Sequence, residues 1–258
     1  MEEKDTADGH PAQGRFALRF QEHREPEKKR FYNERLFTAV APRYDFVTRA
    51  LSLGRDAAWK RRLVESLPSH AAPFCVDLAC GTGDVSLLLA EKYPRGTILG
   101  LDLTRGMLDI AERRSRFAHV RFEQRDMGAT GLDDSSVDIV TGSYALRNAP
   151  SLGLVLTEIR RVLRRGGVAA FLDFSRPPGK AAQLMEYWLL KAWGSFWGLA
   201  LHGNAEVYAY IAESLREFPD RIGLRRSIRE AGFEVLGSRR FYLGVMETLM
   251  FRKSSPVG

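Results

Sequence analysis

The chain's most chemically suggestive spacing is Phe74-Cys-Val-Asp-Leu-Ala-Cys-Gly-Thr-Gly-Asp84, an apolar run that ends in a double-glycine turn flanked by carboxylates. Phe74 to Leu78 reads as a buried strand, and Asp77 inside it is a carboxylate that burial penalises unless something pairs with it. Gly81 and Gly83, with Thr82 between them, permit a sharp strand-to-helix turn and let a ligand approach the main chain. Acidic groups at both ends of the turn (Asp77 and Asp84) would repel a pyrophosphate. They suit a ligand with an ammonium group and a second positive charge, and S-adenosylmethionine has both. Gly81 to Ser86 is also one residue away from the G-x-G-x-x-G fingerprint of nicotinamide dinucleotide sites. That reading is disfavoured because Asp84 would face phosphate and no hydride-transfer site is evident.

The elements around the turn explain how other residues would join it. From residue 74 strands and helices alternate, with further strands read at Ile98–Asp102, His119–Glu123, Val137–Thr141 and Val168–Phe174. Arg164-Arg-Gly-Gly167 reads as the stop of the helix before the fifth strand. Phe233–Arg240 and Glu247–Lys253 close the chain as a hairpin. This is an α/β fold: a seven-stranded, mostly parallel, doubly wound sheet, with a helical N-terminal lid and an apolar cap insertion. Such sheets bind ligands at the carboxyl ends of their strands. Asp102 ends strand two, where it can accept hydrogen bonds from ribose hydroxyls, and Leu103 and Met107 follow it. Asp126, after strand three, suits an adenine amino group, with Met127 packing on the ring. Ser143 ends strand four. Any one of these acids could be a helix cap, as Asp102 before Thr104 could. The ordered set is what points to a nucleoside.

Residues 1–30 are polar and charged and read as a flexible arm, with Phe16–Phe20 as an apolar exception. Residues 31–258 form the catalytic domain, with a helical lid at 31–68 and a cap at about 178–218. Leu184–Leu201 is the most apolar window, but Glu186 and Lys191 interrupt it, so a transmembrane span is not expected. Its Trp188, Trp193, Phe196 and Trp197 suit a groove for an apolar tail, a membrane-interface surface, or a core or dimer surface. A formal charge of +7 invites an anionic partner. The basic residues are dispersed on helices with no interleaved aromatic patch, which favours a membrane surface over nucleic acid. Cys75 and Cys80 match neither a disulfide framework nor a zinc pattern, no metal-ligand spacing is present, and the N-terminus is not a secretory signal. A reducing, cytoplasmic location, peripheral at the inner membrane surface, is the expectation.

Four segments beyond the cofactor turn carry a resemblance: Phe37–Asp45 with Ser52-Leu-Gly54 and Trp59-Lys60; Leu146-Arg-Asn148; Asp173–Pro177; and Tyr208–Ser214 with Phe218-Pro219. In these the chain resembles the ubiquinone/menaquinone-biosynthesis C-methyltransferases over about residues 34–253. It departs from their pattern at Thr48, at Ala57 and at Lys191–Gly194, all in the expected lid and cap. The resemblance implies S-adenosylmethionine as cofactor and C-methylation of a prenylated quinol. It places Arg147, Asn148 and Tyr44 on active-site positions, with Tyr44 also near the cofactor. Methylating an aromatic carbon requires an activated phenol oxygen. Arg147 is a fixed cation suited to polarise it, and Asn148 can hold the same oxygen. His202 is a minor candidate for a base. A methyltransferase for a soluble hydroxylated aromatic and a non-enzymatic S-adenosylmethionine-binding subunit of a quinone-synthesis complex are the alternatives; a homodimer remains open.

Overall fold

A computed structural model of the chain describes residues 26–203 and 205–254. Its strands form where short runs rich in branched apolar residues alternate between two buried faces. They are β1 (Phe74–Leu78), β2 (Thr97–Asp102), β3 (Val120–Gln124), β4 (Val137–Ser143), β5 (Leu163–Phe174), β6 (Phe233–Phe241) and β7 (Met246–Lys253). The single sheet runs β3-β2-β1-β4-β5-β7-β6. The first five strands are parallel, and β7 lies antiparallel between β5 and β6. The strand order reverses between β1 and β4, so a crevice opens at their carboxyl ends.

Each face has its own core. Val76, Leu78 and Val140 point to one side, where they meet α6 (Leu152–Val162) and α9 (Arg221–Glu230) through Leu156, Ile159, Leu224 and Ile228. Cys75, Ile98 and Ile139 point to the other, against α3 (Asp56–Glu65) and α4 (Asp84–Lys92) through Leu63, Val85 and Leu89. A third cluster lies above the strand ends. There Leu36 and Val40 of α1 (Pro26–Val40) and Val47 of α2 (Tyr44–Leu51) pack with Met107 of α5 (Arg105–Arg114). Tyr208 and Tyr210 of α8 (Glu206–Glu217) complete it, and α8 packs along α7 (Lys180–His202).

Two boundaries differ from the sequence expectation. The first described helix covers Pro26–Val40 and buries Tyr32, Asn33 and Leu36, so residues 26–30, expected in the arm, are helical. Residues 1–25, with the Phe16–Phe20 segment, lie outside the described residues. Arg164–Gly167 is not a helix stop but the start of β5. Leu163 is fully buried and pairs with Val137, and a bulge then takes up the residues before Val168 pairs with Ile139. Gly166 supplies the positive φ of +74° within it.

Gly142, near the end of β4, shows how tightly this floor is packed. A Cβ there would sit 2.7 Å from the Phe171 ring and 2.9 Å from Ala145 Cβ. Phe171 is itself stacked on Phe251, so it has little room to yield. Gly142→Ala is expected to destabilise the fold by about 1–3 kcal/mol, read as a lower urea midpoint at unchanged slope.

Candidate functional site

The turn after β1 has the backbone its glycines suggest. Ala79, Gly81 and Gly83 all carry positive φ, at 50°, 55° and 87°. At Gly83 a Cβ would lie 3.0 Å from Ala111 and 3.2 Å from the Phe122 ring, so only glycine lets α4 start this close to α5 and β3. The two flanking carboxylates do not face a ligand. Asp77 is buried beneath the turn, where it accepts from Ser86 Oγ at 2.7 Å and Thr141 Oγ1 at 2.9 Å. Burial pushes its carboxyl up to about 6 against those two donors. Asp84 accepts from Lys60 Nζ at 2.9 Å and Arg114 at 2.7 Å. Burial opposes its ionisation, but Lys60 and Arg114 outweigh burial and hold it below the ordinary carboxylate range. Its charge is thus answered internally. With Lys60 and Arg114 bound to it, Asp84 is not the repulsion toward phosphate that its place in the sequence suggests.

Asp102 is the carboxylate that does reach the crevice. Gly81 N–H donates to one oxygen at 2.9 Å and Thr104 N–H to the other at 2.8 Å. Each oxygen keeps a lone pair for a ligand hydroxyl. Burial raises this carboxyl above its ordinary value despite those donors. The cleft it lines is narrow, about 60 Å³, and includes Gly81, Leu103, Met107, Met127, Ser143 and Tyr44. Asn33, Glu34 and Phe37 of α1 also line it. Thr82, Gly83 and Asp126 are not part of the lining. Thr82 Oγ1 instead donates to Asp45 Oδ1 at 2.7 Å, fastening α2 to the turn. Asp126 accepts from Gly128 N–H and meets Arg30 at 3.4 Å. Met107, Met127 and Leu103 offer apolar surface for a base, and Asp102 and Glu34 offer carboxylate acceptors, a lining whose chemistry suits a nucleoside. Among the described lining residues Arg125 is the only cation. It is engaged with the Thr130 carbonyl and with Glu123, each at 2.6 Å, so phosphate has no ready partner.

Beyond this cleft lies a cavity of about 540 Å³. Phe37, Tyr44, Tyr144 and Asn148 line both spaces. Arg147 lines the larger one, nearly buried at 4% exposure. Its guanidinium donates to Ser214 Oγ, lies 3.7 Å from Asp173, and stacks over the Phe174 and Tyr210 rings. Its Nε has no hydrogen-bond partner. Asn148 donates to the Tyr144 carbonyl at 2.8 Å and accepts from Tyr210 Oη at 3.2 Å. The same Tyr210 proton is shared with Asn33 Oδ1, which lies nearer at 2.6 Å, so cap, lid and strand-four loop meet at this hydroxyl. The Tyr44 phenol is kept protonated by burial, which raises its titration well above the usual tyrosine range.

Tyr144 was missing from the sequence reading as a site residue. It has φ +58°, rare for a bulky side chain, and donates to Asp56 Oδ1 at 2.5 Å. Its position just past β4 is a usable sequence signal; its strained backbone is not. Of the positions departing from the family pattern, Thr48, Trp193 and Gly194 line the large cavity, whereas Ala57 is exposed. The side chain of His202 lies outside the described residues. Among those described, no group of three or more His, Cys, Asp or Glu could hold a metal ion.

Comparison with known proteins identifies the family and the fold. The ubiE/COQ5 methyltransferase family matches residues 25–252. A Thermus thermophilus demethylmenaquinone methyltransferase is 37% identical over 78% of this chain and 92% of its own. A Rubrivivax gelatinosus ubiquinone/menaquinone biosynthesis C-methyltransferase is 35% identical, covering 87% and 86%. Among solved structures, a Haloferax volcanii putative methyltransferase in complex with the Trm112 activator overlays with a TM-score of 0.63 at 16% identity, covering 85% of this chain and 98% of that one. The geranyl diphosphate C-methyltransferase of Streptomyces coelicolor overlays with a TM-score of 0.58 at 14% identity, covering 77% and 81%. These two likenesses are of fold.

Lys60 is the cation on which the turn and lid converge. It is 2% exposed and lies 2.7 Å from Asp56 and 2.9 Å from Asp84. Burial alone would lower its ammonium, but the two carboxylates hold it above the ordinary lysine range. Lys60→Met leaves both carboxylates without their cation and is expected to cost about 3–5 kcal/mol at pH 7. The deficit should shrink as pH falls toward the carboxylate range, where the stranded acids protonate; urea unfolding across pH checks both.

Proposed function

The chain belongs to the ubiE/COQ5 methyltransferase family, and from that premise we propose that it methylates a ring carbon of a prenylated quinol, of the demethylmenaquinol or demethyl-ubiquinol type, in respiratory quinone biosynthesis. As a member it is an S-adenosylmethionine-dependent methyltransferase. The observation that carries the substrate reading is that Phe37, Tyr44, Tyr144 and Asn148 line both spaces, so that the narrow cleft holding Asp102 adjoins a large, mostly apolar cavity.

When bound, S-adenosylmethionine supplies an electrophilic methyl group. The cleft residues have distinct tasks in holding it. Asp102 accepts from the ribose hydroxyls, Leu103, Met107 and Met127 pack on the base, and Gly81 and Ser143 let the ligand approach the backbone. Asp77, Thr82 and Gly83 serve the cofactor indirectly by shaping the turn. In the larger cavity Arg147 faces the acceptor's phenol oxygen and favours its deprotonated form, which makes the neighbouring ring carbon nucleophilic. Asn148 fixes that oxygen, and Tyr44, which borders both spaces, helps keep water out of the junction where the two ligands meet.

The remaining cavity lining is aliphatic and aromatic, which suits a polyprenyl tail. On α7, Leu184, Met185, Trp188, Leu189, Phe196 and Leu199 are each more than half exposed, and Met185 and Leu189 also line the cavity. No helix among the described residues is long and apolar enough to cross a membrane. This α7 face fits docking on the cytoplasmic lipid surface, through which a tail enters the cavity. Co-sedimentation with anionic vesicles should be lost in a Trp188→Ser/Phe196→Ser variant; a wild-type dimer split by the same changes, with no vesicle binding, would assign the face to a second copy instead.

Two measurements test the catalytic reading. Lipid extracts from cells lacking the gene should accumulate a demethylated quinone, and an unchanged quinone pool would redirect the search to a soluble hydroxylated aromatic. Arg147→Ala should lower turnover by about a hundredfold or more while S-adenosylmethionine binding, measured by calorimetry, persists. Retained turnover would remove Arg147 from the mechanism.

A further inference from the structure

Glu186 is the only carboxylate among the described residues lining the acceptor cavity, and no role above uses it. It is 7% exposed and has no hydrogen bond or ion pair among the described residues. An unpaired carboxylate in an apolar cavity is costly and calls for an explanation. It stands between two spaces. On one side is the 540 Å³ cavity with Arg147 and Asn148; on the other is a separate cavity of about 400 Å³ bounded by Arg176, Lys180, Gln183 and Arg216.

The surrounding charges leave it available. Arg176, after β5, donates to the Phe218 carbonyl and to Gln183. Arg221 of α9 donates to Ser175 Oγ and the Gly244 carbonyl. On α8, Glu213 is engaged with Tyr187 and Lys191, and Arg216 lies over the Tyr187 ring. Lys180 and Tyr187 share α7 with Glu186. Burial pushes the Glu186 carboxyl up to about 7, with Arg221 and Arg176 restraining the rise. An acid poised there exchanges protons readily at neutral pH.

We propose that Glu186 is the proton acceptor of the methylation, and that the cavity behind it is the proton's way out. The inference rests on the function proposed above. Replacing a ring hydrogen by a methyl group leaves one proton to be removed. The ring C–H bond breaks, its electron pair returns to the ring, and the proton moves to a Glu186 carboxylate oxygen. The carboxyl then releases it toward the Arg176 and Lys180 side, and the site is reset without an oxidant or reductant.

The test is full-length Glu186→Gln, with Glu186→Asp as the conservative variant, assayed on a short-chain demethylmenaquinol in detergent. Wild-type kcat should rise with pH through about 7, since only the ionised carboxylate accepts a proton. Glu186→Gln should lower kcat about a hundredfold with KM and S-adenosylmethionine affinity near wild type, and should abolish that inflection. Glu186→Asp should restore part of the rate and keep the inflection. Lys29, lowered to about 8 by burial and Arg147, is the other group titrating nearby, and an inflection that persists in Glu186→Gln would assign it there and overturn the proposal. Infrared titration of the protein without ligands supplies a readout independent of turnover. A carboxyl band titrating near pH 7 must be present in wild type and absent from Glu186→Gln; if both variants give the same titration, the proposal fails. No wild-type turnover of the quinol would remove the proposed function, and the base assignment with it. Wild-type turnover matched by Glu186→Gln would remove only the base.

Discussion

A buried ammonium organises this enzyme. Lys60 reaches from the lid helix α3 to Asp84 at the start of α4, and holds Asp56 of its own helix on the other side. Asp56 in turn accepts from Tyr144 at the end of β4. Arg114 extends the same network from α5 to Asp84 and Asp45, and Thr82 joins Asp45 to the glycine turn. Lys60 and Asp56, the two members of this network that lie far from water, are tolerated only because each has a partner. The lid, the turn and the strand-four loop therefore cannot shift independently without stranding one of them. That constraint places the cofactor cleft and the acceptor cavity in fixed relation.

A second polar layer does the same for the cap. The Arg147 backbone N–H donates to Asp173 at 3.0 Å, and its side chain reaches Ser214 on α8. Tyr210, one turn earlier on α8, bridges Asn33 of the lid and Asn148 of the site. Lys29 donates to the carbonyls of Arg147 and Ala149 from the start of α1. Arg147 thus has a structural face, with one guanidinium N–H bonded to the cap, and its place on the cavity lining is what would let it serve the proposed polarising role. The combination accounts for a guanidinium here. A lysine ammonium could not span Ser214, Asp173 and the aromatic faces at once.

Much of this was legible in the chain before any coordinates. The strands were marked by apolar runs, and the turn by Gly81 and Gly83, because those signals are local. Asp102 was legible as a strand-end acid for the same reason. The pairings were not. Lys60 and Arg114 lie far from Asp84 in sequence, so nothing near Asp84 announces that its charge is already answered. Asp77 likewise depends on Ser86 and on Thr141 across the sheet. Glu186 was visible only as an interruption of an apolar window, whereas in the fold it is the single carboxylate among the described residues lining a cavity. Residues whose meaning comes from distant partners need the tertiary structure to be read.

The division between the two spaces also bears on where the reaction must occur. The two spaces adjoin at Phe37, Tyr44, Tyr144 and Asn148, which is where the proposed reaction places the methyl transfer. Two of these residues come from the lid and two from the strand-four loop, so the junction is built jointly by lid and sheet. Tyr144 holds a positive φ that costs about 1–3 kcal/mol in such a residue. Its hydroxyl bond to Asp56, itself held by Lys60, is the compensation. The strained residue at the junction is therefore tied directly to the buried ammonium that fixes the lid. Loss of that ion would loosen the junction as well as the fold, which makes the clamp a determinant of alignment between donor and acceptor and not of stability alone.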